Sequence, residues 1–330
     1  MSTHTPARVR RRLAAIAAGA AAAALLATAS PAAAQARSSA SSPGGARAVS
    51  GGVWGTAIEV PGTAALNTVG LAYTSAMSCA SAGNCSAGGH YTDGAAFSSV
   101  FVASQVNGRW GTAKEVPGTA ALNTGGNAQI DSVSCAKAGD CSAGGFYTDS
   151  SSHGQGFVVS QVNGRWGTAK EVPGIAALNT GGFADIYSAS CASAGNCSAG
   201  GFYIDSSGHN QAFVVSQVNG TWHTAIEVPG TAALNQGGFA EIRSVSCATA
   251  GNCSAGGNYK DSSGLIQAFV VSQTGGTWHT AIEVPGTAAL NRGGLADIGS
   301  VSCAAAGECS AGGDYVDSSR RTQVFVVSET

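Results

Sequence analysis

Charge is scarce in this chain. Asp, Glu, Lys and Arg make up 10% of its 330 residues, and the net charge is −2. No basic cluster stands ready for nucleic acid or an anionic membrane, both of which are held by grouped Lys and Arg. Histidine is scarcer still, with six in all, and none recurs at a useful position: His223 and His279 stand where Gly55, Gly111 and Gly167 stand elsewhere. That absence removes the extra ligands that paired cysteines would need to hold zinc. The cysteine spacing is not C-x-x-C, which argues against redox catalysis. Also missing are a Ser-His-Asp set, a phosphate-binding glycine loop and an H-E-x-x-H helix. No long 3.6-residue apolar pattern is present and glycine occurs throughout, so an all-β fold is expected.

What the chain does have is a fivefold repeat of period 56 residues. Trp54, Trp110, Trp166, Trp222 and Trp278 mark its register, each opening W-x-T-A-x-E-V-P-G-x-A-A-L-N. Two cysteines follow at fixed distances in the pattern C-x5-C: Cys79 and Cys85, Cys135 and Cys141, Cys191 and Cys197, Cys247 and Cys253, Cys303 and Cys309. Such a period means one supersecondary unit copied in tandem.

Ahead of the repeats, Arg8, Arg10, Arg11 and Arg12 precede an Ala/Leu-rich run, Leu13 to Thr28, and a small-x-small site at Ala34-Gln35-Ala36. Residues 1–36 are therefore expected to be a secretory signal peptide. Residues 37–50, rich in Ser, Ala and Gly, are expected to form a flexible leader. Taking four arginines from the 16 basic residues leaves 12 against 18 acidic ones, about −6 for the exported chain. An even set of regularly spaced cysteines in an exported chain reads as disulfides. The expectation is a secreted, extracellular protein with no membrane or nucleic-acid partner and no cofactor.

In the fourth repeat, four apolar runs are separated by Gly, Asn and Ser turns: Ala240 to Ala248, Cys253 to Asp261, Gln267 to Gln273 and Trp278 to Val284. They read as four antiparallel strands. The last two are joined by Asn-Gly pairs in the earlier repeats, the favoured two-residue hairpin chemistry, and by Gly275-Gly276 in the fifth. The cysteines would staple the first hairpin. Four strands in 56 residues, five times over, predict a five-bladed β-propeller over residues 51–330. The repeats begin with a lone fourth strand and end on a third one. Strand Trp54–Val60 is thus expected to complete the last blade and close the ring, giving a monomer.

Two groups of side chains are candidates for a site. The first is copied in every repeat and lies at the long loops between blades: Asn123, Asn179, Asn235 and Asn291; Tyr147, Tyr203, Tyr259 and Tyr315; Asp149, Asp205, Asp261 and Asp317. A tyrosine face with an amide and a carboxylate would suit a sugar. The first repeat's Asn67, Tyr91 and Asp93 are poorer, because its loop reads N-T-V-G rather than N-x-G-G. The second group is not copied: Tyr73, Gln129, Asp185, Glu241 and Asp297 open the first strand of successive blades. In a ring they surround the mouth of the channel. Asp185, Glu241 and Asp297 could serve as acid and base in glycoside hydrolysis or bind Ca²⁺. No accompanying aromatic subsite or placed Arg or His is evident in the sequence.

Ser160–Trp166, S-Q-V-N-G-R-W, resembles a shortened Asp-box turn of sialidase-type propellers, a folding motif that carries no activity with it. The near-identical blades resemble the architecture of five-bladed tachylectin-type lectins, which implies one equivalent sugar site per blade. The S-V-S-C…N-C-S-A-G-G pattern is similar to a repeat of secreted actinobacterial proteins and to propeller lectin modules of secreted antibacterial toxin particles. The three carboxylates resemble the layout of arabinanase-type glycoside hydrolases. Together these imply a secreted, non-enzymatic, multivalent binder of a glycan or cell-surface polysaccharide. The alternatives are a glycoside hydrolase or a protein-binding scaffold.

Overall fold

The computed structural model describes residues 53–329. The expected signal peptide and leader lie outside them. Val53–Thr56 group with the chain before them, and the unit described below starts at Ala57.

Five antiparallel sheets follow one another in sequence, as a five-bladed β-propeller requires. Their first strands are Ala72–Ser81, Ala128–Lys137, Ala184–Ser193, Ala240–Thr249 and Ala296–Ala305. Each pairs with a second strand, and each second strand with a third, in the same register throughout. The cysteines face each other directly across the first hairpin, and all five pairs are disulfide-bonded. The turn after the third strand is Asn107-Gly108 in the first blade, both at positive φ (48° and 81°), the backbone a two-residue hairpin demands.

The fourth strand is not the continuous run expected from Trp to Val. In the fourth blade it forms two short pieces, Thr277–Trp278 and Ile282–Glu283, both paired with the third strand. Between them the His279 amide still donates to the third strand, at Ser272, but the Ala281 amide donates to Pro229 of the previous repeat. The loop that follows holds a four-residue helical turn, such as Thr231–Leu234, too short to show as a periodic pattern in the sequence.

Blades pack through their first strands. Ile130, Ile186, Ile242 and Ile298 are fully buried and lie against Gly88, Gly144, Gly200 and Gly256 of the preceding blade. A Cβ on any of these glycines would come within 2.9 Å of the isoleucine methyl. Trp166, Trp222 and Trp278 also seal such interfaces, whereas Trp54 is 98% exposed. Trp278 is 7% exposed and lies in one cluster with Val214, Val245, Cys253, Ala255 and Val271, and its indole N–H donates to Ser216 Oγ of the preceding blade at 3.3 Å.

The fifth sheet departs from the expected closure. It has three strands, and Ala57–Val60 carry no strand. Val324 and Val326 on its third strand are 83% and 87% exposed, whereas the equivalent Val100 and Val102 are buried. Between the fourth and fifth blades lies a cavity of about 170 Å³ lined by Val270, Val301, Cys309, Ala311 and Val327. Each of these residues stands 56 positions after a member of the Trp278 cluster. The cavity is a tryptophan seat without its tryptophan.

Candidate functional site

The copied candidates are spent on the frame. Tyr147, Tyr203 and Tyr259 are buried, and their hydroxyls donate to Glu171, Glu227 and Glu283 at 2.7–3.2 Å. Burial pushes the Tyr91 hydroxyl up to about 12, with Glu115 and Asp93 adding to it, and pushes Tyr147, Tyr203 and Tyr259 further in the same direction. Tyr315, in the last blade, is half-buried against Phe325.

The carboxylates and amides form a relay. Asp205 Oδ1 accepts from the backbone N–H groups of Ser207 and His209, which fixes the turn between the second and third strands. Its Oδ2 accepts from Gln211, whose amide oxygen accepts from Asn235. Asn235 also donates to the Asn210 carbonyl at 2.9 Å. Asp261, Gln267 and Asn291 repeat this arrangement, as do Asp149, Gln155 and Asn179. Asn123 donates to the Ser98 carbonyl, and Asp317 caps its turn through Ser319 and Arg321. Buried amides of this kind tie the interblade loop to the turn beside it. They present no aromatic face for a sugar to stack on.

The uncopied candidates lie elsewhere in character. In every blade the first strand bulges by one residue: pairing runs Thr74↔Gly89 then Ala76↔Gly88, skipping Ser75, and likewise skips Asp131, Tyr187, Arg243 and Gly299. A bulge turns a side chain away from its strand's alternation and is frequent beside sites. It also brings the strand backbone so close to its neighbour that a Cβ on Gly201 would lie 1.9 Å from the Asp185 carbonyl oxygen, and the same holds for Gly257 and Glu241. This is why the second glycine of A-G-G stands in every repeat.

Three strand positions therefore come together, and at all three the repeats differ. The residue two before the bulged one pairs with a second-strand residue: Tyr73 with His90, Gln129 with Phe146, Asp185 with Phe202, Glu241 with Asn258 and Asp297 with Asp314. The bulged residues add Asp131, Tyr187 and Arg243. Sequence reasoning missed these three and found the surroundings bare of aromatics and of arginine. The structure corrects that. Phe146, Phe183, Phe202 and Tyr187 make a continuous run with ring centroids 5.2–5.7 Å apart. Arg243 stacks over Tyr187 at 5.5 Å, pairs with Glu241 at 2.6 Å and approaches Asp297 at 3.9 Å. The available signal was variation at the bulged position among otherwise near-identical repeats.

The electrostatics of this rim are unusual. Asp185 and Glu241 are 5% and 3% exposed. Burial, then the neighbouring Asp131, drives the Asp185 carboxyl well above the usual range. Burial also raises Asp131, and its charge is the second cause of the rise at Asp185. Burial raises Glu241 and Asp297 as well, with Arg243 opposing the shift in both. Burial holds His90 below its ordinary value, against the pull of Asp131. Buried oxygens without a hydrogen-bond donor collect here: Asp131 Oδ2, Asp185 Oδ1, Asn258 Oδ1 and Asp297 Oδ1. Glu241 Oε1 joins them, since Arg243 lies close but off the line of a hydrogen bond. Among the described residues, no three His, Cys, Asp or Glu side chains are grouped so as to hold a metal ion, and no helix is long and apolar enough to cross a membrane.

No family model matches the chain, and no curated protein does. Solved structures do. A Hadza microbial sialidase, Hz136, is 12% identical with a TM-score of 0.45 over 76% of this chain and 55% of its own, so the chain spans about half that protein's length. A subtype N11 neuraminidase-like protein of A/flat-faced bat/Peru/033/2010 (H18N11) is 12% identical with a TM-score of 0.40, over 77% of this chain and 71% of its own. A GH43_1 enzyme from Xanthomonas citri is 11% identical with a TM-score of 0.36, over 79% of this chain and 89% of its own.

Proposed function

We propose that this chain is an extracellular carbohydrate-binding propeller that engages one glycan at the bulged rim of its first strands. One observation carries the reading. Five repeats that agree at almost every core and turn position diverge at the bulged residue, the residue two before it and that residue's cross-strand partner, and those positions are neighbours in space. A frame needs the same residue in each blade, whereas an asymmetric ligand needs different ones. The content also suits a sugar. The Phe146–Phe183–Phe202–Tyr187 run offers apolar faces, and carboxylates and an amide supply fixed acceptors for hydroxyls. The five disulfides fit an oxidising compartment. The rim replaces the five equivalent Tyr–Asn–Asp sites as the proposed locus, because those side chains are occupied internally.

A glycan array with the exported chain tests this, run beside Asp185→Asn combined with Glu241→Gln. Binding that the double variant loses supports the rim. A silent array, or binding that the double variant retains in full, overturns it.

A second reading has one specific support. Asp185 has a raised carboxyl and Glu241 sits in the neighbouring blade, and glycoside hydrolysis uses one such acid with a second carboxylate. Turnover of arabinan, xylan, chitin or sialosides that disappears in either single variant would make the chain a hydrolase.

A further inference from the structure

The unsatisfied atoms of the rim are one imidazole nitrogen, His90 Nδ1, and a larger set of oxygens. Asp131 Oδ2, Asp185 Oδ1, Glu241 Oε1, Asn258 Oδ1 and Asp297 Oδ1 are all acceptors, all buried, and all without a donor. Buried polar atoms in a folded protein are almost always paired, so five unpaired acceptors in four adjoining blades describe the chemistry that would complete the rim. Such a group is rich in N–H or O–H donors and poor in acceptors. Asp314 pairs with Asp297 across the strands and extends the same surface.

Charge narrows the chemistry further. Five carboxyls, those of Asp131, Asp185, Glu241, Asp297 and Asp314, are set against a single guanidinium, that of Arg243. The other cationic candidate, His90, faces Asp131 from the first blade, and burial disfavours its charged form. A neutral sugar would satisfy acceptors while leaving the carboxyls crowded together. A ligand that brings ammonium groups satisfies the acceptors and relieves the crowding at once, because a charge-assisted hydrogen bond to a buried carboxylate is about twice as strong as a neutral one. The aromatic run beside the carboxyls distinguishes a sugar ring from a simple cation, since it offers a flat apolar surface next to the acceptors.

We propose that the rim is a site for amino-sugar glycans with free amines, glucosamine oligomers being the simplest members of the class. This rests on the carbohydrate reading and specifies its ligand. An ammonium enters the Asp131, Asp185 and Glu241 acceptors while the sugar faces lie along Phe202 and Tyr187. The ammonium favours the ionised forms of Asp131 and Asp185, which burial otherwise disfavours, so protons leave when the cation arrives.

The test is titration calorimetry on the full exported chain with three tetrasaccharides of matched length, built from glucosamine, N-acetylglucosamine and glucose, and with a lysine tetrapeptide. The glucosamine oligomer is expected to bind about tenfold tighter than either sugar control, the effect of one well-placed charge-assisted hydrogen bond. Two buffers of different ionisation enthalpy should report proton release on binding. Asp185→Asn with Glu241→Gln should abolish both the preference and the proton release. Glu308→Gln, which removes the charge of an exposed residue, should leave both intact. Equal or tighter binding of the glucose oligomer overturns the amino-sugar proposal while the carbohydrate reading stands. Equal binding of the lysine tetrapeptide reduces the site to a cation trap and overturns the proposal as well. If no oligomer binds and the glycan array is silent, both readings fall together.

Discussion

The empty seat between the fourth and fifth blades allows a test with an internal calibration. Trp278→Ala removes a 7% exposed side chain from a cluster of five apolar neighbours and leaves Ser216 without its indole donor. Deleting a core tryptophan costs about 3–5 kcal/mol through lost transfer energy and the cavity left behind. For a unit of this size that corresponds to a fall in Tm on the order of 10 °C. The cavity of about 170 Å³ lined by Val270, Val301, Cys309, Ala311 and Val327 is the same seat one repeat later. Ser272 lies in its wall and donates to Glu329 at 2.7 Å, so its oxygen retains lone pairs for an indole N–H. Trp54, 98% exposed in the structure, stands five repeats before the equivalent position and is the residue that the ring closure expected from sequence would use. Trp54→Ala is therefore expected to lower Tm by an amount comparable to Trp278→Ala in differential scanning calorimetry. It should also increase association, because the third strand of the fifth sheet would remain an open edge. If Trp54→Ala melts with the parent and stays monomeric while Trp278→Ala falls, the ring is not closed by this segment.

Other outcomes follow from the same geometry. Asp185→Asn should raise Tm at pH 7: a buried carboxyl with an elevated folded pKa favours the folded state when protonated and opposes it once pH exceeds the unfolded value, so removing the charge stabilises at neutral pH and matters little at acid pH. A Tm at pH 7 that falls instead would mean that the carboxylate is paired. Asn235→Ala should cost about 1–3 kcal/mol in urea unfolding, because Gln211 and the Asn210 carbonyl both lose a buried donor; a change near zero would mean that the relay carries no stability. Alkylation without reductant should label none of the ten cysteines, and each bridge should contribute about 2 kcal/mol, since it closes a short loop. Labelling of any pair in the folded protein would remove that staple.

Much of the frame was legible because its causes are local. The cysteine spacing placed the first hairpin, and Ala240–Thr249, Asn252–Lys260 and Ile266–Thr274 fall within a residue or so of the runs read from sequence. The Asn-Gly turns appeared where expected. The fourth strand was overextended because His279, Thr280 and Ala281 look like strand residues, while the Ala281 amide bonds to Pro229 of the previous repeat. The site was half legible. Asp185, Glu241 and Asp297 stood out as carboxylates at equivalent positions, but a bulge leaves no mark on a single copy of the strand. Asp131, Tyr187 and Arg243 were therefore not singled out. Tyr203, Asp205 and Asn235 have the right chemistry for a sugar and the wrong exposure, and exposure depends on the neighbouring blade.

Duplication explains why frame and site separate so cleanly here. A copied repeat begins with the same residue at every equivalent position, so repetition alone says nothing about use. Constraint then acts unequally. Gly201 cannot gain a Cβ without meeting the Asp185 carbonyl oxygen at 1.9 Å, and Ile242 has no room beside Gly200, so these positions stay fixed in each blade. The bulged residue faces no such limit, since its side chain is directed away from the strand pairing. It can become Ser75, Asp131, Tyr187, Arg243 or Gly299 without disturbing the sheet. The bulge thus supplies a rigid backbone address where side chains can diverge independently, five times around one rim. A ligand site assembled there should tolerate exchange of rim residues between blades. Swapping Asp185 with Gln129 should leave Tm within a few degrees of the parent, since each residue enters a backbone environment copied from its own, yet it should alter glycan binding by moving a buried carboxyl one blade away from Tyr187 and Glu241. A swap that unfolds the protein, or one that leaves binding unchanged, would refute the separation of frame from site.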